Sequence, residues 1–93
     1  MSAGTEPVYR HVIGGGPGEI IPPERLHEVY ADHWHVRCYL WCGSEYWAAK
    51  RRHPVPAEAE QAGVREGVSG WYSAAWMRDW LNEQGRLWDA WSA

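Results

Sequence analysis

The sequence predicts an α+β domain: a small antiparallel sheet packed against two or three helices, the last of them amphipathic and rich in tryptophan. Three observations carry this expectation. Residues 34–42 alternate apolar and polar side chains, the pattern of a strand with one dry face. Residues 72–91 repeat apolar side chains at helical spacing. The third is composition: 93 residues include 8 Trp and 5 Tyr but no Phe. Each large ring can bury roughly 150–250 Å², which matters in a chain short enough to hide only about 60–70% of its unfolded surface.

Residues 1–7 are expected to form a frayed tail and residues 8–93 a single compact domain. Val8 to Ile13 alternates as a strand does and ends at Gly14-Gly15-Gly16-Pro17-Gly18, a run that holds no regular element. Pro22-Pro23 suits the first turn of a helix, where a missing N–H costs nothing. From Pro23 to about Ala31, Leu26, Val29 and Tyr30 share one helical face, and Glu24 lies where the helix dipole favours a carboxylate.

In the strand that follows, Trp34, Val36, Cys38, Leu40 and Cys42 make the dry face, and His33, His35, Arg37, Tyr39 and Trp41 the other. Gly43-Ser44 suits a two-residue turn. Glu45 to Arg52 then returns antiparallel, with Trp47 and Ala49 joining Leu40 and Cys38 in the core and Trp41 meeting Tyr46 outside. The competing reading of residues 44–52 is a short helix, capped by Ser44, with Lys50-Arg51-Arg52 at its negative end. His53-Pro54-Val55-Pro56 is a break, Ala57 to Val64 a short helix, and Gly67 to Gly70 a joint.

At about 100° per residue, Tyr72, Trp76, Trp80, Leu87 and Trp91 fall on one stripe, widened by Met77, Leu81 and Trp88. Arg78, Asp79, Asn82, Arg86 and Asp89 lie opposite. Gly85, near the edge of the stripe, is a place for the helix to stop or bend.

Composition narrows the function. A net charge of -3 argues against nucleic-acid binding, which uses a concentrated basic surface. No apolar run approaches the ~18 residues of a membrane span, and Met1 to Glu6 lacks the basic start and apolar core of a signal peptide. The expectation is a cytoplasmic protein without membrane contact. Cys38 and Cys42 stand four residues apart in a strand, roughly 13 Å, too far for a disulfide, so both are expected to be buried thiols.

Several constellations could carry chemistry. His33, His35, Cys38 and Cys42 are zinc-ligand types, but an extended chain sends imidazoles and thiols to opposite faces. No metal and no other cofactor is therefore expected. The same dry face hides either thiol from a role as nucleophile. Gly14 to Gly18 could cradle a phosphate, yet it matches neither dinucleotide nor Walker spacing and no Lys follows. Glu24, His27 and Glu28 could form an acid–base pair, an arrangement that solvated helix faces show routinely. Lys50, Arg51 and Arg52, beside Tyr46 and Trp47, could grip single-stranded nucleic acid.

The tryptophans carry the strongest signal. Trp34, Trp47, Trp76 and Trp80 are expected in the core. Eight indoles exceed what one small core hides, so Trp41 on the polar side of its strand, Trp71 off the main stripe, and Trp88 and Trp91 near the chain end are candidates for an exposed patch. The expected partner-binding residues are Trp41, Tyr39, Tyr46, Trp88 and Trp91, with no catalytic residue and no metal ligand. The functional expectation is a small non-enzymatic protein-binding module of inhibitor or adaptor type, a class that includes inhibitors carried by phages and mobile elements. A small-ligand binder or enzyme using His27 and Glu28 or Gly14 to Gly18, and a single-stranded nucleic-acid binder using Lys50 to Arg52, are the alternatives. A homodimer joined by spare indoles is compatible with the same sequence.

Overall fold

The computed structural model describes residues 18–93. The expected tail at residues 1–7, the strand at 8–13 and most of the glycine run lie outside the described residues. Within them the architecture is α+β, as the alternation and the helical stripe require. Strands β1 (Gly18–Ile20), β2 (Trp34–Trp41), β3 (Ser44–Arg51) and β4 (Gly67–Gly70) form one antiparallel sheet in sequence order. The helices are α1 (Leu26–Val29), α2 (Ala57–Gln61) and α3 (Ala74–Ser92), and a 3-10 turn at Pro23–Arg25 leads into α1. Among the described residues, no helix is long and apolar enough to cross a membrane.

The core lies on one face of the sheet. Ile20, Trp34, Val36, Cys38, Trp47 and Ala49 point into it and meet Leu26 from α1 and Met77 and Leu81 from α3. Trp47 is fully buried, and its indole Nε1 donates to Glu45 Oε1 at 3.0 Å, so the ring's one polar group is satisfied.

Residues 44–51 form a strand, because Trp47 and Ala49 recur at period two beside a dry face already formed by β2. The turn, however, falls at Cys42 and Gly43, with φ of 52° and 80°. That geometry places left-handed backbone at both central positions, and hairpin twist favours it. The pairing therefore slides by two from the expected register, to Cys38↔Trp47, Tyr39↔Tyr46 and Trp41↔Ser44. A slide of two leaves every side chain on its own face, so the inner and outer sets survive while the partners change. Cys42 is the exception: it leaves the strand and lies exposed in the turn.

Gly67–Gly70 is an edge strand rather than a joint. A Cβ on Gly67 would meet Ala49 O at 2.7 Å, and one on Gly70 would meet the Tyr72 ring at 2.8 Å. These glycines allow close approach to β3 and to a ring, the use that glycine has inside strands.

The first helix is shorter than its spacing suggests. Glu24 and Arg25 take left-handed φ of 59° and 51°, which separates the 3-10 turn from α1. Leu26 is buried and Tyr30 packs against the core, but Val29 is 65% exposed. An ion pair from Arg78 on α3 to Glu24, at 3.1 Å, and one from Arg25 to Glu28 hold the segment.

On α3 the buried line is Met77, Leu81 and Gln84, one helical position round from the expected stripe. The sheet already places two indoles, Trp34 and Trp47, beneath the helix. Slender side chains fill the remaining gaps at core density better than two further indoles would. Trp76 and Trp80 move to the flank. Trp76 is 39% exposed and stacks on Tyr72 with centroids 3.7 Å apart, while half-buried Trp80 meets Trp34 edge-on at 5.2 Å. Ser73 caps the helix by accepting from Trp76 N, and Gly85 neither ends nor interrupts it.

A polar knot ties the second half of α3 to the sheet. Buried Gln84 accepts from Arg65 N at 2.7 Å and from Arg51 Nη2 at 3.4 Å. Arg51 also donates Nε to Arg65 O and lies over the rings of Trp34 and Trp88, 4.4 and 5.2 Å from their centroids.

Candidate functional site

Strand alternation sends His35, Arg37, Tyr39 and Trp41 of β2 and Ser44, Tyr46, Ala48 and Lys50 of β3 to the face opposite the core. Tyr39 and Tyr46 stand directly across from each other. The β3–β4 pairing ends at Trp47↔Gly70, and one step further brings Trp71 beside Tyr46. The Trp71 ring meets Tyr46 edge-on at 5.1 Å and lies 6.2 Å from Trp41. Trp41 is 41% and Trp71 57% exposed. Four rings thus form a platform at one end of the open sheet face.

Of the five expected contact residues, Tyr39, Trp41 and Tyr46 belong to this platform. Trp88 and Trp91 lie elsewhere, on the last turns of α3, with rings 5.3 Å apart and both half-buried. Trp71, a candidate for the exposed patch though not one of the five contact residues, joins the platform. Its signal was available: once Gly67–Gly70 is read as a strand, alternation carries Trp71 to the outer face.

Beside the platform the face sinks into a trough of about 580 Å³, bounded by His35, Arg37, Lys50 and Glu66, with Ala48 and Ser69 in its floor. Arg37 Nε donates to His35 Nε2 at 3.2 Å and lies 3.8 Å from Glu19. Hydrogen bonding to Tyr39, then the charge of Glu19, push the Arg37 guanidinium further up. The three expected nucleic-acid cations do not act together. Lys50 faces the trough, whereas Arg51 is held in the knot with Gln84, and Arg52 Nε donates to Ala31 O at 2.6 Å. Burial lowers the Arg51 pKa.

The remaining constellations are scattered. Cys38 lies in the core, where burial, with a smaller push from the Glu45 charge, raises its thiol to about 12. His33 and His35 are exposed on the other side of β2, and Cys42 is exposed at the hairpin tip. Among the described residues, no group of three or more His, Cys, Asp or Glu could hold a metal ion. His27 Nε2 lies 3.7 Å from Glu28, but Arg25 takes that carboxylate in two hydrogen bonds and holds it below its usual range. Glu24 is taken by Arg78. A second hollow of about 450 Å³ opens between the α1–β2 turn and α3, where the Tyr30 hydroxyl donates to Asn82 Oδ1.

No protein-family model matches this chain, and neither a curated protein nor a solved structure does.

Proposed function

We propose that this chain is a non-enzymatic protein-binding module that receives a protein partner on the open face of its sheet, through Tyr39, Trp41, Tyr46 and Trp71. The observation that carries the reading is the ring contact itself: Trp41 and Trp71, large and exposed, converge with Tyr46 in solvent. A contiguous exposed apolar patch marks a contact surface. Trp and Tyr dominate the binding energy of such surfaces. Edge-on contact between neighbours also limits ring freedom before binding, which lowers the entropy lost on docking. Trp88 and Trp91 would serve a separate, secondary contact. An inhibitor or adaptor role in the cytoplasm, like that of inhibitors carried by phages and mobile elements, belongs to the same proposal and rests on class analogy.

The single-stranded nucleic-acid alternative keeps only Lys50 of its three cations on this face. The small-enzyme alternative has His27 beside a carboxylate already committed to Arg25.

The test is comparative capture followed by a direct affinity measurement. A partner recovered by the purified chain should bind Trp71→Ala about 30-fold more weakly, the loss of one hot-spot ring, and bind Trp76→Ala as it binds the parent. Equal affinity for the parent and Trp71→Ala would overturn the reading.

A further inference from the structure

The trough beside the rings differs from them in chemistry, and its construction limits what can occupy it. Ala48 and Ser69 are paired across β3 and β4, as are Lys50 and Gly67. The outward side chains at these positions are therefore small, apart from Lys50. Gly67 cannot gain one, since a Cβ there would meet Ala49 O. On the other side, His35 stands opposite Lys50 and Arg37 opposite Ala48. The result is a depression running along the strands, with cations above a low floor and the aromatic platform at its end.

The charges around it are few. Arg37 is already engaged by His35 and Glu19. The side chain of Lys50, the chain's one lysine, is exposed and forms no hydrogen bond or ion pair among the described residues. Glu66 at the rim and Glu19 beside Arg37 balance the two cations. A run of phosphates would meet both carboxylates, and single-stranded nucleic acid needs cations that track its backbone. A single anionic group over Lys50 needs one counter-charge and no row of cations tracking a backbone.

We infer that the trough is the subsite for one carboxylate on an extended segment of the partner, with Lys50 as its counter-charge and the segment's apolar anchor on Trp41 and Trp71. This rests on the docking reading above. Trp71 stands level with Tyr46, their rings 5.1 Å apart, and Tyr46 and Lys50 are four residues apart on β3, about 13 Å at strand rise. An extended segment lying along the strands spans that distance in four residues, and side chains four apart share one face. The partner segment therefore carries Asp or Glu four positions from a large apolar residue.

A display library of random twelve-residue peptides, selected on the full chain, tests this while the partner itself is still unidentified. Enriched peptides should share the acidic and apolar pair at that spacing. Changing the acid to its amide should weaken binding to the parent about fivefold, the upper range for an exposed ion pair, and leave binding to Lys50→Gln unchanged. Enriched peptides without an acid, an equal amide effect on Lys50→Gln, or tighter binding of a ten-residue oligothymidylate would each overturn the carboxylate subsite. Trp71→Ala separates the two claims. Peptides that need Trp71 but no acid remove the subsite and spare the docking reading. Peptides that need the acid but not Trp71 remove the docking reading and, with it, the anchor. Enrichment no better than on a blank surface removes both.

Discussion

The two faces of the sheet are built from the same strands and both carry tryptophan, yet one is dry and the other wet. Trp34 and Trp47 on the inner face are 3% and 0% exposed, while Trp41 and Trp71 on the outer face are 41% and 57%. Hydrophobicity does not separate these four indoles. What separates them is whether another element faces them: α1 and α3 cover the inner side, and among the described residues nothing covers the outer one. An uncovered indole is the kind of exposed apolar surface that marks a contact site, which is why the outer face, and not the better-packed inner one, carries the functional proposal.

The largest expected effect tests the inner face. Trp47→Ala should destabilise the fold by about 3–5 kcal/mol, the usual loss for a deleted buried ring. In a domain this size that lowers Tm by at least about 12 °C. A thermal melt followed by circular dichroism measures it. If Trp47→Ala and Trp71→Ala lowered Tm equally, the contrast between the faces would be lost.

The contrast was partly legible in the sequence. Period-two alternation at residues 34–41 assigned both faces of β2. For residues 44–52 the sequence left strand and helix open, and the strand reading placed the side chains of β3 on the right faces because an error of two in register does not move a side chain across the sheet. The turn was harder to place. A glycine next to Ser44 suits a turn with Gly first, and nothing in the sequence shows that Cys42 accepts left-handed backbone. Trp71 is expected in an exposed patch, but its place beside Tyr46 is hidden because two glycines disguise β4. Glycine reads as a breaker until the neighbour it must avoid is known, here Ala49 O and the Tyr72 ring. The rotation of α3 had a different cause. Ranking by hydrophobicity puts Trp76 and Trp80 inward, but space above Trp34 and Trp47 decides the packing, and it favours Met77 and Leu81. The left-handed pair Glu24-Arg25 has no sequence signal that we can identify.

A smaller effect uses the two cysteines as reporters of the two environments. Cys38 has its thiol raised to about 12 by burial. In the unfolded chain it ionises near its ordinary value of 9.0. Between those values the unfolded state binds fewer protons than the folded one, so stability falls as pH rises from about 9 towards 12. The slope approaches about 1.4 kcal/mol per pH unit for one group. Below pH 9 both states are protonated and this dependence vanishes. Urea melts at several alkaline pH values measure it, and Cys38→Ala should flatten the slope whatever its effect on absolute stability. Alkylation at neutral pH offers a check on the geometry: Cys42 should react at once, and Cys38 only as the chain opens. Equal rates would place both thiols in the same environment and break the contrast.

The smallest effect on stability belongs to the exposed ring. Trp41 touches Trp71 at a tilted 6.2 Å and sits in the last pair of the β2–β3 ladder, opposite Ser44. It has water on one side and no core neighbour to lose, so Trp41→Ala should change stability by less than about 1 kcal/mol. Its signature should instead be optical. A soluble quencher such as acrylamide reaches Trp41 and Trp71 but not Trp34 or Trp47. Trp41→Ala should therefore remove a disproportionate share of the quenchable emission while leaving the protected share intact. A quenching curve unchanged by the substitution would mean that Trp41 is covered in solution, by a second copy of the chain or by residues outside those described. The outer face would then be an interface already filled, and sedimentation of the same sample would tell which cover it has.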